Sequence, residues 1–177
     1  MRAIIWVALV GVVVAGCSSE PSDGRGPAGS APPSPAPVTR SLDPSAYTTE
    51  DTVCGLLTGE QAAGLGLQPE ARAHQRGDVV FSCEWKLQGD DRFQIEYDLA
   101  LNTDLLGDWY AAGDDPRLRD IGGQPAGVLD MSGGVCKVAV RLAEKTSLLV
   151  SVADMEREIG CALAVPMAEQ IVKNLEG

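Results

Sequence analysis

The stretch FSCEWKLQGDDRFQIEYDLAL, residues 81–101, decides the fold class. Apolar residues alternate with polar ones over residues 81–87, and the alternation resumes over residues 93–101. A period of two places every second side chain on the same face of a strand. Because Gln88-Gly89-Asp90-Asp91 suits a turn, the stretch predicts an antiparallel hairpin with one apolar face.

A second hairpin is predicted further along the chain. Apolar residues alternate over 136–142 and again over 148–152, and Glu144-Lys145-Thr146 turns the chain between the two runs. A short strand is expected at Val128-Leu129, after a turn-rich approach. Residues 67–78 show neither the period of a strand nor that of a helix, and they are predicted to form a loop.

Helices are expected between and around these hairpins. Thr58-Gly59-Glu60-Gln61 matches a capping box, and Asn102, Thr103 or Asp104 can cap a helix that reaches Tyr110. A last helix is expected from about Cys161 to Leu175, with Pro166 awkwardly inside it. Hairpins with one apolar face need cover. We therefore predict an α+β fold, a twisted antiparallel sheet built from two hairpins with helices packed on it.

The start of the chain has the pattern of an export signal. Arg2 precedes an apolar run from Ala3 to Ala15, which is too short to span a bilayer. The run ends in Val14-Ala15-Gly16-Cys17, which looks like a lipobox, where a peptidase cuts before the cysteine and a diacylglycerol is attached to its thiol. An ordinary secretory signal with a chance cysteine is the alternative. Residues 1–16 are thus predicted to be a lipoprotein signal peptide.

The rest of the chain divides into two parts. Residues 17–45, with the lipidated Cys17 first, are rich in Pro, Ser, Gly and Ala, so we expect a disordered tether. Residues 46–177 are expected to form a single domain stapled by disulfides. The predicted location is the outer face of the cell membrane, to which the lipid on Cys17 anchors the chain without spanning it.

Four cysteines remain after Cys17, an even number that indicates disulfides in an exported protein. Four cysteines allow three connectivities. We favour Cys54 with Cys83 and Cys136 with Cys161, because each pair closes a short loop and joins a helix candidate to a strand candidate. Each bond would stabilise the domain by roughly 3.5 kcal/mol through the entropy of the unfolded chain.

Charge and composition argue against several functions. The formal net charge of -11 would repel phosphate backbones, so nucleic-acid binding is not expected. His74 is the single histidine, and no G-x-S-x-G motif accompanies it as a serine hydrolase would require. One histidine and paired cysteines do not make a zinc site. We therefore predict neither a metal nor a cofactor, and no catalytic residue.

The candidate binding residues cluster at the end of the predicted helix that reaches Tyr110. Trp109 and Tyr110 are adjacent, so both rings cannot face the core, and an exposed aromatic ring beside the acids Asp114 and Asp115 is a candidate for recognition. The acids of this region could instead hold calcium, although their spacing does not fit a calcium loop and helix capping explains them more simply.

A series of short motifs follows the lipobox along the chain: Val53-Cys54-Gly55-Leu56-Leu57-Thr58, Cys83-Glu84-Trp85, Cys136, Cys161-Ala162-Leu163-Ala164, Ala168-Glu169 and Asn174-Leu175. In this order, the lipobox and the motifs resemble a family of actinobacterial lipoproteins known as domain of unknown function 3558. The resemblance implies an extracytoplasmic location and disulfides, but no activity. By analogy it also implies a small sandwich similar to PsbP-like or Mog1-like proteins.

Three functions remain in view, and the first is favoured. It is a membrane-anchored binding or accessory module, without catalysis, for an envelope protein partner or a small ligand. The second is an envelope hydrolase that uses paired carboxylates on glycan or peptide, for which a pocket holding two close acids would be needed. The third is a lipid carrier, for which so small a domain has little room.

Overall fold

The computed structural model describes residues 40–47, 49–76, 80–153 and 159–177. The signal peptide, Cys17 and most of the expected tether therefore lie outside the described residues. The helices are α1 (Glu50–Cys54), α2 (Gly59–Gly64), α3 (Leu105–Ala112) and α4 (Gly160–Leu175), and the strands are β1 (Arg72–Arg76), β2 (Val80–Leu87), β3 (Asp90–Leu101), β4 (Arg117–Ile121), β5 (Gln124–Met131), β6 (Val135–Ala143) and β7 (Thr146–Ala153). A 3-10 turn at Pro44–Ala46 precedes them.

One antiparallel sheet organises the domain, with the strand order β1-β2-β3-β7-β6-β5-β4. The two predicted hairpins are β2–β3 and β6–β7, and they meet where β3 pairs with β7. The predicted α+β fold with helices packed on an antiparallel sheet is confirmed. The sheet is wider than two hairpins because β4 and β5 extend one side and β1 extends the other.

The loop predicted over residues 67–78 is wrong where β1 forms. Arg72–Arg76 pairs with β2, and Ala73 lies opposite Cys83. No apolar alternation marks this strand, because it lies at the edge of the sheet and most of its described side chains are exposed. β1 forms because its backbone pairs with that of β2, although the sequence of β1 does not indicate a strand.

The register divides the sheet into two faces, since paired residues of antiparallel strands point the same way and neighbours along a strand point oppositely. The inner face carries Cys83, Trp85, Tyr97, Leu148, Val150 and Val152 with their paired neighbours, and all of these are buried. Helices α1 and α4 pack on this face. The hydrophobic core of the domain lies between them and the sheet.

Two disulfides join the helices to the inner face. The structure pairs Cys54 with Cys83, at a Cα–Cα distance of 5.4 Å, and Cys136 with Cys161, at 5.1 Å. These are the pairs that the sequence favours. They tie α1 to β2 and α4 to β6, so each bond links a helix to the strand beneath it.

An amide network joins α4 to the two short helices. Asn174 Nδ2 donates to the carbonyl oxygen of Leu56 at 2.6 Å and to Gln61 Oε1 at 2.8 Å. Gln61 also completes the predicted capping box, because its side chain accepts from the backbone N–H of Thr58 at 2.9 Å. The single Gln61 side chain thus caps α2 and holds the end of α4 against it.

Helix α4 runs through Pro166 without ending there. A proline inside a helix leaves the carbonyl four residues earlier without its usual N–H partner. That carbonyl belongs to Ala162, which is exposed and can be hydrated. The cost of the proline is therefore smaller here than in a buried turn.

Contacts with the domain begin before residue 46. The backbone N–H of Leu42 donates to Leu142 O at 2.9 Å, and Gln124 Nε2 donates to Arg40 O at 2.7 Å. Leu42 is 4% exposed and belongs to the core. These residues fall in the range 17–45 that the sequence assigns to the tether.

Candidate functional site

The opposite, outer face of the sheet carries α3 and the residues that the sequence singled out for binding. Trp109 and Tyr110 lie on α3 and are both half-buried, whereas Asp114 and Asp115 follow the helix and are exposed. The helix ends at Gly113, whose positive φ of 85° is a left-handed conformation that glycine adopts readily. The four candidates therefore gather at the C-terminal end of one short helix.

Asp104 fixes α3 at its other end. Its Oδ1 accepts from the backbone N–H of Gly107 at 3.1 Å, which makes it the N-cap among the three residues proposed. Arg141 on β6 donates from Nε to the same Oδ1 at 2.9 Å, and its Nη2 forms an ion pair with Oδ2. Sequence reasoning placed Asp104 near the helix but missed Arg141.

One glycine leaves room for the cap of α3, and another lets the helix lie close to the sheet. A Cβ atom at Gly107 would stand 2.6 Å from Asp104 Oδ2, and one at Gly127 on β5 would stand 2.5 Å from Leu106 Cδ1. Ser147 on β7 adds polar contacts, accepting from Leu105 N at 3.2 Å and donating to Thr103 O at 2.9 Å. The helix is therefore held on the outer face by the cap, the ion pair and close packing.

The Tyr110 hydroxyl is the unusual group of this surface. It is buried and has no hydrogen-bond partner among the described residues. Burial raises the pKa of the phenol, the Asp115 carboxylate raises it further, and the Arg141 guanidinium opposes both. A buried polar group without a partner costs free energy, so a partner molecule that supplies one would be favoured.

The outer face also carries a polar groove that the sequence analysis did not single out. The groove has a volume of about 180 Å³ and lies over β3, β7 and β6, with Glu96, Asp98, Lys137 and Ser151 among its lining residues. The alternation of the strands predicts that these side chains share a face. It does not predict which of them are buried.

A larger cavity, of about 440 Å³, adjoins the disulfide between Cys136 and Cys161. Its lining includes Asp130, Met131 and Ser132, of which Met131 is 45% exposed. Unlike the groove, it is lined by no buried polar atom that lacks a hydrogen-bond partner within the described ranges. This cavity offers less to a polar ligand than the groove does.

His74 lies on the edge strand β1, 50% exposed, and its Nε2 is 2.9 Å from Glu84 Oε2. Over the described part of the chain, no three His, Cys, Asp or Glu side chains are grouped as metal ligands would be. In the same part, no helix is both long and apolar enough to cross a membrane.

Residues 12–174 of the chain match the family described as Protein of unknown function (DUF3558). The chain belongs to this family. The match covers all four residues of the expected lipobox, both disulfides and all the described strands of the sheet. No curated protein and no solved structure matches the chain, so the likeness to a PsbP-like sandwich stays a prediction.

Proposed function

We propose that this chain is an exported, actinobacterial-type lipoprotein, anchored by a lipid on Cys17 to the outer face of the cell membrane. There it acts as a non-enzymatic binding or accessory module for an envelope protein. The lipobox-like Val14-Ala15-Gly16-Cys17 and the following Pro- and Ser-rich stretch support the anchor. The two disulfides fit an oxidising compartment outside the cytoplasm.

The observation that carries the binding role is the surface at the end of α3. Trp109 and Tyr110 present half-buried rings beside the exposed carboxylates of Asp114 and Asp115. Aromatic rings flanked by polar groups are typical of the residues that dominate protein interfaces. The unpartnered Tyr110 hydroxyl gives this surface a donor that a partner could engage.

Electrostatics indicate the kind of partner. Asp114 and Asp115 add to an acidic chain with a net charge of -11, so the α3 surface should attract a basic patch on the partner. The partner should accept a hydrogen bond from Tyr110 and cover the ring of Trp109. We propose that this partner is a membrane or cell-wall protein with such a basic patch.

Site-specific crosslinking on intact cells tests the proposal. A photo-reactive amino acid replaces Trp109 in the full chain, and Met131, which is 45% exposed at the end of β5 away from α3, is replaced in the same way as a matched control. We expect one reproducible envelope adduct from position 109 and none from 131. The adduct should be lost with the Asp114→Asn/Asp115→Asn variant.

A Cys17→Ala arm of the same experiment tests the anchor. This variant should leave the membrane fraction or remain unprocessed, and the adduct from position 109 should disappear with it. Lipid labelling that persists without Cys17 would refute the anchor. Identical adducts from positions 109 and 131, or none from either, would refute the binding surface.

A further inference from the structure

The groove on the outer face contains a buried carboxylate whose role in the fold is not evident. Asp98 on β3 is 7% exposed, and its Oδ1 has no hydrogen-bond partner within the described residues. Its cross-strand neighbour Ser82 is 0% exposed, and the Ser82 hydroxyl is also without a described partner. Leaving such acceptors buried is costly unless something binds to them.

The opposite side of the groove carries a positive charge. Lys137 on β6 lies in register with Ser151 on β7, which lies in register with Glu96 on β3. Two strand spacings separate β3 from β6, and Asp98 is two residues along β3 from the position opposite Lys137, so the backbones of Asp98 and Lys137 lie roughly 12 Å apart. None of the ion pairs described in the structure involves Lys137. The groove therefore presents an acidic end, a hydroxyl and a basic end in order.

Apolar side chains flank Ser151 on the floor of the groove. Leu149 on β7 lies opposite Asp98 and is half-buried, and Val135 and Ala153 line one end. A volume of about 180 Å³ suits a small molecule with a short aliphatic group. Charged groups at both ends of such a floor select for charge placement as well as for size.

We propose that this groove binds a small zwitterion, a free amino acid with an aliphatic side chain. Its ammonium group meets Asp98, its carboxylate meets Lys137, and its side chain covers Leu149. The proposal is independent of the α3 surface, because none of the residues that line the groove belongs to α3. It gives the outer face a second role, in which the loaded groove and the protein partner occupy neighbouring areas.

Titration calorimetry with three related compounds tests the proposal. The protein is the full-length product purified from cells, after any processing at Cys17. L-leucine carries both charges, 3-methylbutylamine carries only the ammonium group, and 4-methylpentanoate carries only the carboxylate. We expect leucine to bind at least about tenfold more tightly than either of the others, because each of the others lacks one of the two charge-assisted hydrogen bonds.

Variants at the two ends separate the contributions. Asp98→Asn should weaken leucine and the amine by about tenfold and leave the carboxylate compound unchanged, whereas Lys137→Met should do the reverse. Asp130→Asn, at an exposed acid outside the groove, is the matched control. Melting curves should show that Asp98→Asn is folded and no less stable, since it removes an unpartnered buried charge.

Several outcomes would overturn the assignment. These are no binding of leucine, an amine that binds as tightly as leucine, or binding that survives both Asp98→Asn and Lys137→Met. If position 109 gives no adduct in the otherwise unchanged chain while leucine still binds, the α3 surface alone is refuted. The two proposals can therefore fail separately.

Discussion

The two faces of the sheet are built by the same strands but differ in the side chains and helices that they carry. The inner face carries the hydrophobic core, both disulfides and α1 and α4. The outer face carries charged and hydroxyl side chains, the groove and one eight-residue helix. Asp98 and Tyr110 belong to the outer face. Each has a buried polar atom without a described hydrogen-bond partner, and each lies next to one of the proposed binding surfaces. The inner face therefore holds the hydrophobic core, and the outer face carries both of the proposed binding surfaces.

Adjacent leucines on β7 give the sharpest test of this comparison. Leu148 points to the inner face and is 0% exposed, whereas Leu149 points to the outer face and is half-buried. Leu148→Ala should cost about 2–5 kcal/mol, the usual range for a cavity in a packed core. Leu149→Ala should cost less than about 1.5 kcal/mol, because the site is open to water.

Urea denaturation of both variants measures the difference, with the slope of the transition as a check that folding stays two-state. The two leucines share a residue type and a strand, so propensity cancels between them. Equal costs would mean that the outer face is packed as tightly as the inner one. The division into a stabilising face and a binding face would then be lost.

The sequence predicts the inner face well and the outer face poorly, for a physical reason. Alternation over residues 81–101 identifies a strand and its apolar side, because burial of that side is a local property of the pattern. The pairing of Asp104 with Arg141 joins residues that are 37 apart, and no local pattern encodes it. Likewise, Asp98 reads as a solvated residue of a polar face, although strands far away in sequence bury it.

The ion pair that holds α3 should contribute more than an exposed pair on the same sheet. The Arg141 side chain is 10% exposed and that of Asp104 32%, whereas both partners of the Arg117–Asp130 pair are more than two-thirds exposed. Arg141→Met should destabilise the domain by about 2 kcal/mol, because it leaves a partly desolvated carboxylate without its partner. Arg117→Met should change stability by less than about 0.5 kcal/mol.

Hydrogen exchange should show where Arg141→Met acts. Amides of α3 should lose protection while those of α4 keep it, since the pair ties α3 to the outer face. Equal loss of protection in both helices would contradict a local role for the pair. In that case the outer face would contribute to global stability as the inner face does.

Tyr97 on the inner face and Tyr110 on the outer face should contribute differently to stability at alkaline pH. Burial raises the pKa of Tyr97, the nearby Tyr47 raises it further, and its hydroxyl donates to the carbonyl of Val53. The unfolded phenol ionises near pH 10 while the folded one stays protonated, so its contribution is complete below pH 10 and is lost as the pH rises above it. The loss approaches about 1.4 kcal/mol per pH unit for one such group.

The measurement is the free energy of unfolding from pH 8 to pH 11 for the wild-type chain, Tyr97→Phe and Tyr110→Phe. Lysine titration is common to all three, so the difference between each variant and the wild type isolates one phenol. Tyr97→Phe should cost about 1 kcal/mol at pH 8, through the lost hydrogen bond to Val53 O, and should flatten the decline above pH 10. Tyr110→Phe should cost nothing at pH 8, because its hydroxyl has no described partner to lose, and should flatten the decline less, because Arg141 opposes the rise in its pKa. A cost at pH 8 for Tyr110→Phe equal to that for Tyr97→Phe would show that the outer-face hydroxyl is already bonded within the fold, and so is not held ready for a partner.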